Sequence, residues 1–249
     1  MEQGRTEQGG IELAWVRTPG RGPTTVFLPG YMSDMEGTKA LETERFCTEQ
    51  GLACLRLDYS GHGRSGGAFT DGTIGRWTGD ALFLIDRLTD GPLVVIGSSM
   101  GGWIMLLVAL ARPERVIGLL GIAAAPDFTE DLMWGAMMPA EREQLLRDGV
   151  LPVPSEYGDP YPVTAALIKE GRRHLLLRAP IPLRCPVRLL HGQADADVPW
   201  ETSMRLAQTL ESGDVQVTLV KDGEHRLSRP ADLRLLRRIL GALLLQDGA

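Results

Sequence analysis

The stretch Leu93-Val94-Val95-Ile96-Gly97-Ser98-Ser99-Met100-Gly101-Gly102-Trp103 decides how the rest of the chain is read. Leu93 to Ile96 is an unbroken apolar run, as a strand covered on both faces requires, and Trp103 to Ala111 is an apolar run of helical type. Gly97-Ser98-Ser99-Met100-Gly101 therefore falls on a sharp strand-to-helix turn. The turn forces its central serine into a strained backbone conformation, and the flanking glycines keep side chains away from the adjoining strand and helix. As a bare pattern, Gly-x-Ser-x-Gly also arises by chance in plain turns. In this context it presents the Ser99 hydroxyl at the end of a sheet, as a nucleophile.

Outward from that turn, short apolar runs alternate with helical patterns. Strands are expected at Ile11 to Val16, Thr25 to Leu28, Ala53 to Asp58, Val116 to Ile122, Val187 to Leu190 and Val215 to Val220. Helices are expected from Glu36 to Gln50 with Gly51 as the stop, from Ile74 to Leu88, and from Pro230 onward. The order predicts a doubly wound, mostly parallel α/β sheet in one domain, residues 1–249. One stretch, 126–182, breaks the alternation: it has no apolar strand pattern and is rich in proline, methionine and aromatics. It reads as a short helical lid. Trp134, Met133, Met137 and Met138 are its candidate substrate-contacting residues, against the simpler role of gluing the lid to the body. Tyr157 and Tyr161 belong to the same stretch.

Composition sets limits on function. With 249 residues, 43% hydrophobic and 23% charged, the chain has an ordinary globular balance. A net charge of -6, with basic residues clustered only as the pairs Arg172-Arg173 and Arg237-Arg238, argues against a nucleic-acid partner. Cys47, Cys54 and Cys185 form an odd set without metal-ligand spacing, which suits buried thiols in a reducing compartment. The N-terminus has no apolar leader, and the run ending at Ala111 is stopped by Arg112-Pro113 before it could span a bilayer, so no membrane anchor is expected. No dinucleotide fingerprint, phosphate loop or metal motif is present, so no metal or other cofactor is expected.

A serine nucleophile needs a base, and the base needs an orienting acid. His225 follows the last expected strand, which brings it to the same sheet edge as Ser99. His191 and His62, each beside a glycine, are the alternatives, and His174 in the lid is expected to face solvent. Asp195 follows the penultimate strand, so the chain order Ser99, Asp195, His225 is the one this topology expects. Asp197 and Asp127 are the competing carboxylates. For the two backbone donors that stabilise a developing oxyanion, Met100 supplies one and Tyr31, with Met32 as fallback, the other, from the Pro29-Gly30 turn.

Leu28-Pro29-Gly30-Tyr31, Asp58-Tyr59-Ser60-Gly61-His62-Gly63-Arg64-Ser65, Gly97-Ser98-Ser99-Met100-Gly101-Gly102, His191-Gly192 through Val198-Pro199, and His225 together resemble the α/β-hydrolase superfamily. Pro29 to Met35, Phe46-Cys47, Ala111-Arg112-Pro113-Glu114 and Cys185 to Gly192 are similar to the mitochondrial acyl-protein thioesterase and acyl-glucuronide esterase group and its bacterial relatives. That resemblance implies Ser99, Asp195 and His225 as triad and Tyr31 with Met100 as oxyanion hole. It also implies small-molecule or acyl-protein ester and thioester substrates. The chain departs by lacking a visible transit peptide, which favours a bacterial cytoplasmic protein, or a mitochondrial matrix protein if the source is eukaryotic. Perhydrolase or peptidase chemistry on the same triad, and a non-catalytic hydrolase-fold ligand-binding protein, are the alternative readings.

Overall fold

A computed structural model describes residues 1–155 and 158–244, so Tyr157 lies outside the described residues. The strands are β1 (Glu2–Gln8), β2 (Ile11–Thr18), β3 (Arg21–Leu28), β4 (Leu52–Leu57), β5 (Leu93–Ser98), β6 (Val116–Ile122), β7 (Val150–Ser155), β8 (Gly158–Thr164), β9 (Val187–Gly192) and β10 (Val215–Val220). The helices are α1 (Thr38–Gln50), α2 (Ile74–Leu88), α3 (Met100–Ala111), α4 (Pro139–Asp148), α5 (Ala165–Gly171), α6 (Glu201–Thr209) and α7 (Pro230–Leu244). Eight strands form one sheet in the order β1-β2-β4-β3-β5-β6-β9-β10. It is parallel from β4 to β10, while β2 runs antiparallel to both β1 and β4.

Helices cover both faces of this sheet. Along β5, Leu93 and Val95 pack into the layer holding Trp77, Leu84 and Trp103, while Val94 and Ile96 pack into the layer holding Phe46, Leu236 and Leu240. The two-residue period of a strand splits an all-apolar run between two cores, which is why β5 carries no polar alternation. α3 is apolar nearly all round and mostly buried, so burial rather than an amphipathic stripe holds it in place. Among the described residues no helix is long and apolar enough to cross a membrane.

The structure adds two features to the sequence expectation. β1 is entirely polar and gives no apolar signal. It forms because Gly9 and Gly10, at φ 57° and 84°, make a tight hairpin turn into β2. The second addition corrects the view of 126–182 as a helical lid without strands: besides a π-helical turn (Thr129–Trp134), α4 and α5, it holds the antiparallel hairpin β7–β8. Pro152 pairs with Pro162 across that hairpin. Proline has no N–H to give, so this pair must occupy a non-hydrogen-bonded position, and with only two strands each outer edge needs no donor. Prolines that argue against a central strand are compatible with this isolated ribbon.

Candidate active site

Ser99 stands between β5 and α3 at φ 55°, ψ -120°. Its own backbone holds it there: the Ser99 amide donates to Ile122 O at 2.9 Å, and its carbonyl accepts from the Gly102 and Ala125 amides at 2.9 and 3.0 Å. Glycine is a steric requirement here. A Cβ at Gly97 would come within 2.2 Å of the Gly101 carbonyl oxygen, and one at Gly101 within 2.1 Å of the Leu28 carbonyl oxygen.

His225 reaches this serine from the loop after β10. Its Nε2 lies 3.1 Å from Ser99 Oγ and its Nδ1 2.7 Å from Asp195 Oδ2. An ionised carboxylate only accepts, so Nδ1 carries the proton and Nε2 is left to accept from the serine hydroxyl. Asp195, in the loop after β9, is itself held tightly. Its Oδ1 accepts from the Asp197 and Val198 amides at 2.9 and 2.8 Å, and its Oδ2 also faces His191 Nε2 at 3.2 Å. Burial pushes the Asp195 pKa up, but the hydrogen bonds from His191, His225 and the Val198 amide outweigh it and hold the carboxyl well below the usual carboxylate range. It remains charged beside the imidazole.

The alternatives find other places. His191 is buried, with Nε2 facing two acceptors, Asp195 Oδ2 and Val198 O, and Nδ1 2.7 Å from Ser203 Oγ. Nε2, facing two acceptors, donates toward the acid from behind. That second donor to Asp195 escaped the sequence reading, although its spacing, four residues before the acid across a tight turn, was a usable signal. His62 is buried edge-on to Tyr59, Phe69 and Trp77, and burial pulls its pKa down to about 4. His174, expected at the solvent, instead pairs with Glu170, whose other oxygen accepts from the Gly75 amide of α2 and so ties the lid to the body. Asp197 is exposed, and its amide serves Asp195. Asp127, at φ 62° and fully buried, accepts from the Leu176 and Leu177 amides at 2.7 and 2.9 Å and so anchors the returning end of the lid to the exit of β6.

Two backbone segments adjoin Ser99, the start of α3 and the turn after β3. Met100 is the first residue of α3, so its amide has no intrahelical acceptor. The Gly30-Tyr31-Met32-Ser33 turn, closed by a 3.1 Å bond from the Ser33 amide to Gly30 O, presses so near that a Cβ at Gly30 would sit 3.2 Å from Ser99 Cβ. Met32 takes the left-handed position of this turn, at φ 53°, with its side chain exposed. The Tyr31 side chain joins the lid to the body. Its hydroxyl donates to Pro162 O at 2.8 Å and its ring meets Phe69, Trp77, Phe128 and Tyr161 edge-on.

A cavity of about 940 Å³ opens over Ser99 and His225. Its lid side is apolar, with Leu132, Met133, Met137, Leu151, Val153 and Tyr161 in the wall. Two of the expected contacts are corrected. Trp134 is not in the wall; it packs with the lid's own small core and lies under the guanidinium groups of Arg142 and Arg172, at 5.0 and 4.9 Å from the ring centre. Met138 also lies outside the wall and is 65% exposed. Met133 sits in the π-helical turn and Met137 is bonded back to it through its amide to Met133 O at 3.2 Å, whereas Met138 is extended, at φ -66° and ψ 155°, where the chain turns into α4. The opposite side of the cavity is polar and includes Ser33, Asp34, Thr38 and Lys39, none of which the sequence pattern singled out.

Comparison with known proteins agrees with this geometry. Residues 25–234 match the alpha/beta hydrolase family. The chain is 46% identical over 227 residues to the human palmitoyl-protein thioesterase ABHD10, mitochondrial, covering 90% of this chain and 74% of that protein. Among solved structures, the mouse alpha/beta hydrolase domain-containing protein 10 superposes with a TM-score of 0.91 at 39% identity, covering 99% of both chains. A putative hydrolase from Agrobacterium vitis S4 superposes with a TM-score of 0.93 at 40% identity, covering 98% of both. A strand-to-helix serine turn, an acid and a histidine in that chain order at one sheet edge, and these relatives together place the chain in the alpha/beta hydrolase family.

Proposed function

We propose that this protein is a serine hydrolase that cleaves carboxyl esters or acyl thioesters through an acyl-enzyme on Ser99. The observation that carries the reading is the continuous relay Ser99 Oγ to His225 Nε2 at 3.1 Å and His225 Nδ1 to Asp195 at 2.7 Å. Ser99 Oγ attacks the acyl carbon as His225 Nε2 takes its proton, and the carbonyl oxygen becomes an oxyanion facing the Tyr31 and Met100 amides. His225 then gives the proton to the departing alkoxide or thiolate. In the second half water attacks the acyl-serine, His225 takes the water's proton and returns it to Ser99 Oγ, and the acid leaves. Asp195 keeps the imidazole in the required tautomer and offsets its transient charge.

The apolar side of the cavity under the lid suits the acyl part, and the polar side suits the leaving group. The naming of the 46% identical relative as a palmitoyl-protein thioesterase supports an acyl substrate of this kind. Three free cysteines suit a reducing compartment such as a bacterial cytoplasm or a mitochondrial matrix. The reading is tested by Ser99→Ala, which is expected to lower turnover of p-nitrophenyl and acyl-thioester substrates by about 10⁴-fold or more. A fluorophosphonate should label the wild-type protein at Ser99. Wild-type turnover in Ser99→Ala, or labelling elsewhere, would overturn it.

A further inference from the structure

The loop that carries His225 is anchored at both ends and sharply bent between them. Its start is held by bonds from the Gly223 amide to Val220 O and from the Ala194 amide to Gly223 O, at 3.0 and 2.9 Å. Its end is held by Arg229, which grips Asp222 and Asp232. Between these anchors Leu227 takes a left-handed conformation, φ 44°, with a 3.2 Å bond from its amide to Glu224 O across the turn. That bend sets the position of a ring that makes four proton transfers per turnover, two of them with Ser99.

Lys39 meets this loop from the other side of the cleft. It is the second residue of α1, which begins just after the Gly30–Ser33 turn, and its side chain lies in the cavity wall with His225 and Arg226. Its Nζ donates to the main-chain carbonyl of Arg226, the residue next to His225. We propose that Lys39 is a positioning residue for the hydrolysis proposed above: by holding the Arg226 carbonyl it fixes the backbone from which the His225 ring reaches Ser99. One side chain then ties the oxyanion side of the cleft to the base side. The inference rests on the serine-hydrolase reading but adds to it a residue outside the triad and the oxyanion hole.

The charge environment makes the link sensitive to alkali. Burial and the repulsion of Arg226 pull the Lys39 pKa down to about 8, against the opposing pull of Asp195 in the loop after β9, Asp232 at the start of α7, and Glu224 in the His225 loop. Below that pH the bond to Arg226 O is charge-assisted; above it the neutral amine keeps N–H donors and loses the assistance. Turnover should therefore decline as pH rises through about 8. Arginine stays charged throughout that range.

Steady-state kinetics of Lys39→Met and Lys39→Arg on a p-nitrophenyl ester from pH 6 to 10 tests the proposal. Lys39→Met should lose about 10- to 100-fold in kcat, the scale expected when a catalytic group is misplaced by about 1 Å, with KM within about twofold. Its alkaline decline should be absent. Lys39→Arg should recover most of kcat and carry the decline to higher pH. The proposal fails if Lys39→Met keeps kcat within about twofold of wild type, if its loss lies in KM, or if Lys39→Arg declines at the wild-type pH. Should Lys39→Met not fold, by circular dichroism and thermal midpoint, Lys39→Arg alone decides. A wild-type protein that neither turns over esters nor labels at Ser99 would instead refute the serine-hydrolase reading, so the two failures are distinct.

Discussion

The carboxyl edge of the central sheet and the lid above it hold their residues by different physics. At the edge, Ser99, Asp195 and His225 each follow a parallel strand, and their surroundings are over-determined: glycines that admit no Cβ, an acid with four hydrogen-bond donors around it, and a histidine clamp behind that acid. In the lid, several of the polar contacts are partly exposed. A proline ribbon, a tryptophan under two guanidinium groups, and the ion pairs of Arg172 with Glu130 and Arg178 with Asp131 hold it together. Exposed ion pairs of this kind contribute roughly 0–1 kcal/mol each. On the proposed function this is a division of labour in which the edge sets the rate of the chemistry and the lid sets which acyl group is admitted.

The sharpest way to break that comparison is Asp195→Asn. Asparagine keeps the shape but lets the imidazole take the wrong tautomer, so kcat should fall by about 10⁴-fold with KM little changed. A loss confined to KM would mean that the edge serves binding rather than rate. The same carboxylate bears on stability: its folded pKa lies below its unfolded one, so its contribution is present at neutral pH and is lost as pH falls into the acid range.

A second, smaller effect probes the rigidity of the edge through His62. Its folded pKa of about 4 lies below the ordinary 6.5, so between those values the unfolded chain binds the proton first and stability falls as pH drops. From pH 7.5 to 5 this should remove about 2 kcal/mol from the unfolding free energy. In His62→Phe, urea unfolding at the two pH values should show a drop smaller by about that amount. An unchanged drop would show that the aromatic cluster beneath Tyr31 is not where acid acts.

The smallest expected effect lies in the lid. Met133→Ala removes apolar wall from the cavity and should lower kcat/KM for a long-chain acyl ester by about 5- to 10-fold while leaving an acetyl ester within about twofold. Equal loss on both substrates would erase the proposed contrast between edge and lid.

The same contrast governed what could be read in advance. Ser99, Asp195 and His225 were legible because each follows an apolar strand whose run is visible without knowing its neighbours. β1 was not, since an entirely polar edge strand is built by its Gly9-Gly10 turn and its partner's backbone rather than by any apolar pattern. The β7–β8 hairpin was hidden for a related reason: prolines weigh against strands in general, and their acceptability here depends on there being no third strand among the described residues. The lid aromatics and methionines were visible as a group but not as individuals, because composition carries no direction. Met133 faces the cavity and Trp134 faces Arg142 and Arg172.

Taken alone, the order of residues determined the parallel sheet, the strained serine turn and the chain order of the three groups placed at its edge, because those depend on local apolar period and on glycine stereochemistry. Only the tertiary structure decided that His191 backs Asp195 from behind, that Lys39 grasps the carbonyl beside His225 across 187 residues of chain, and which lid side chains face the cavity. The first is a short-range contact whose spacing offered a hint but whose geometry the turn had to supply. The Lys39 contact joins segments remote in sequence, and it and the facing of the lid are set by how helices and loops pack on the finished sheet.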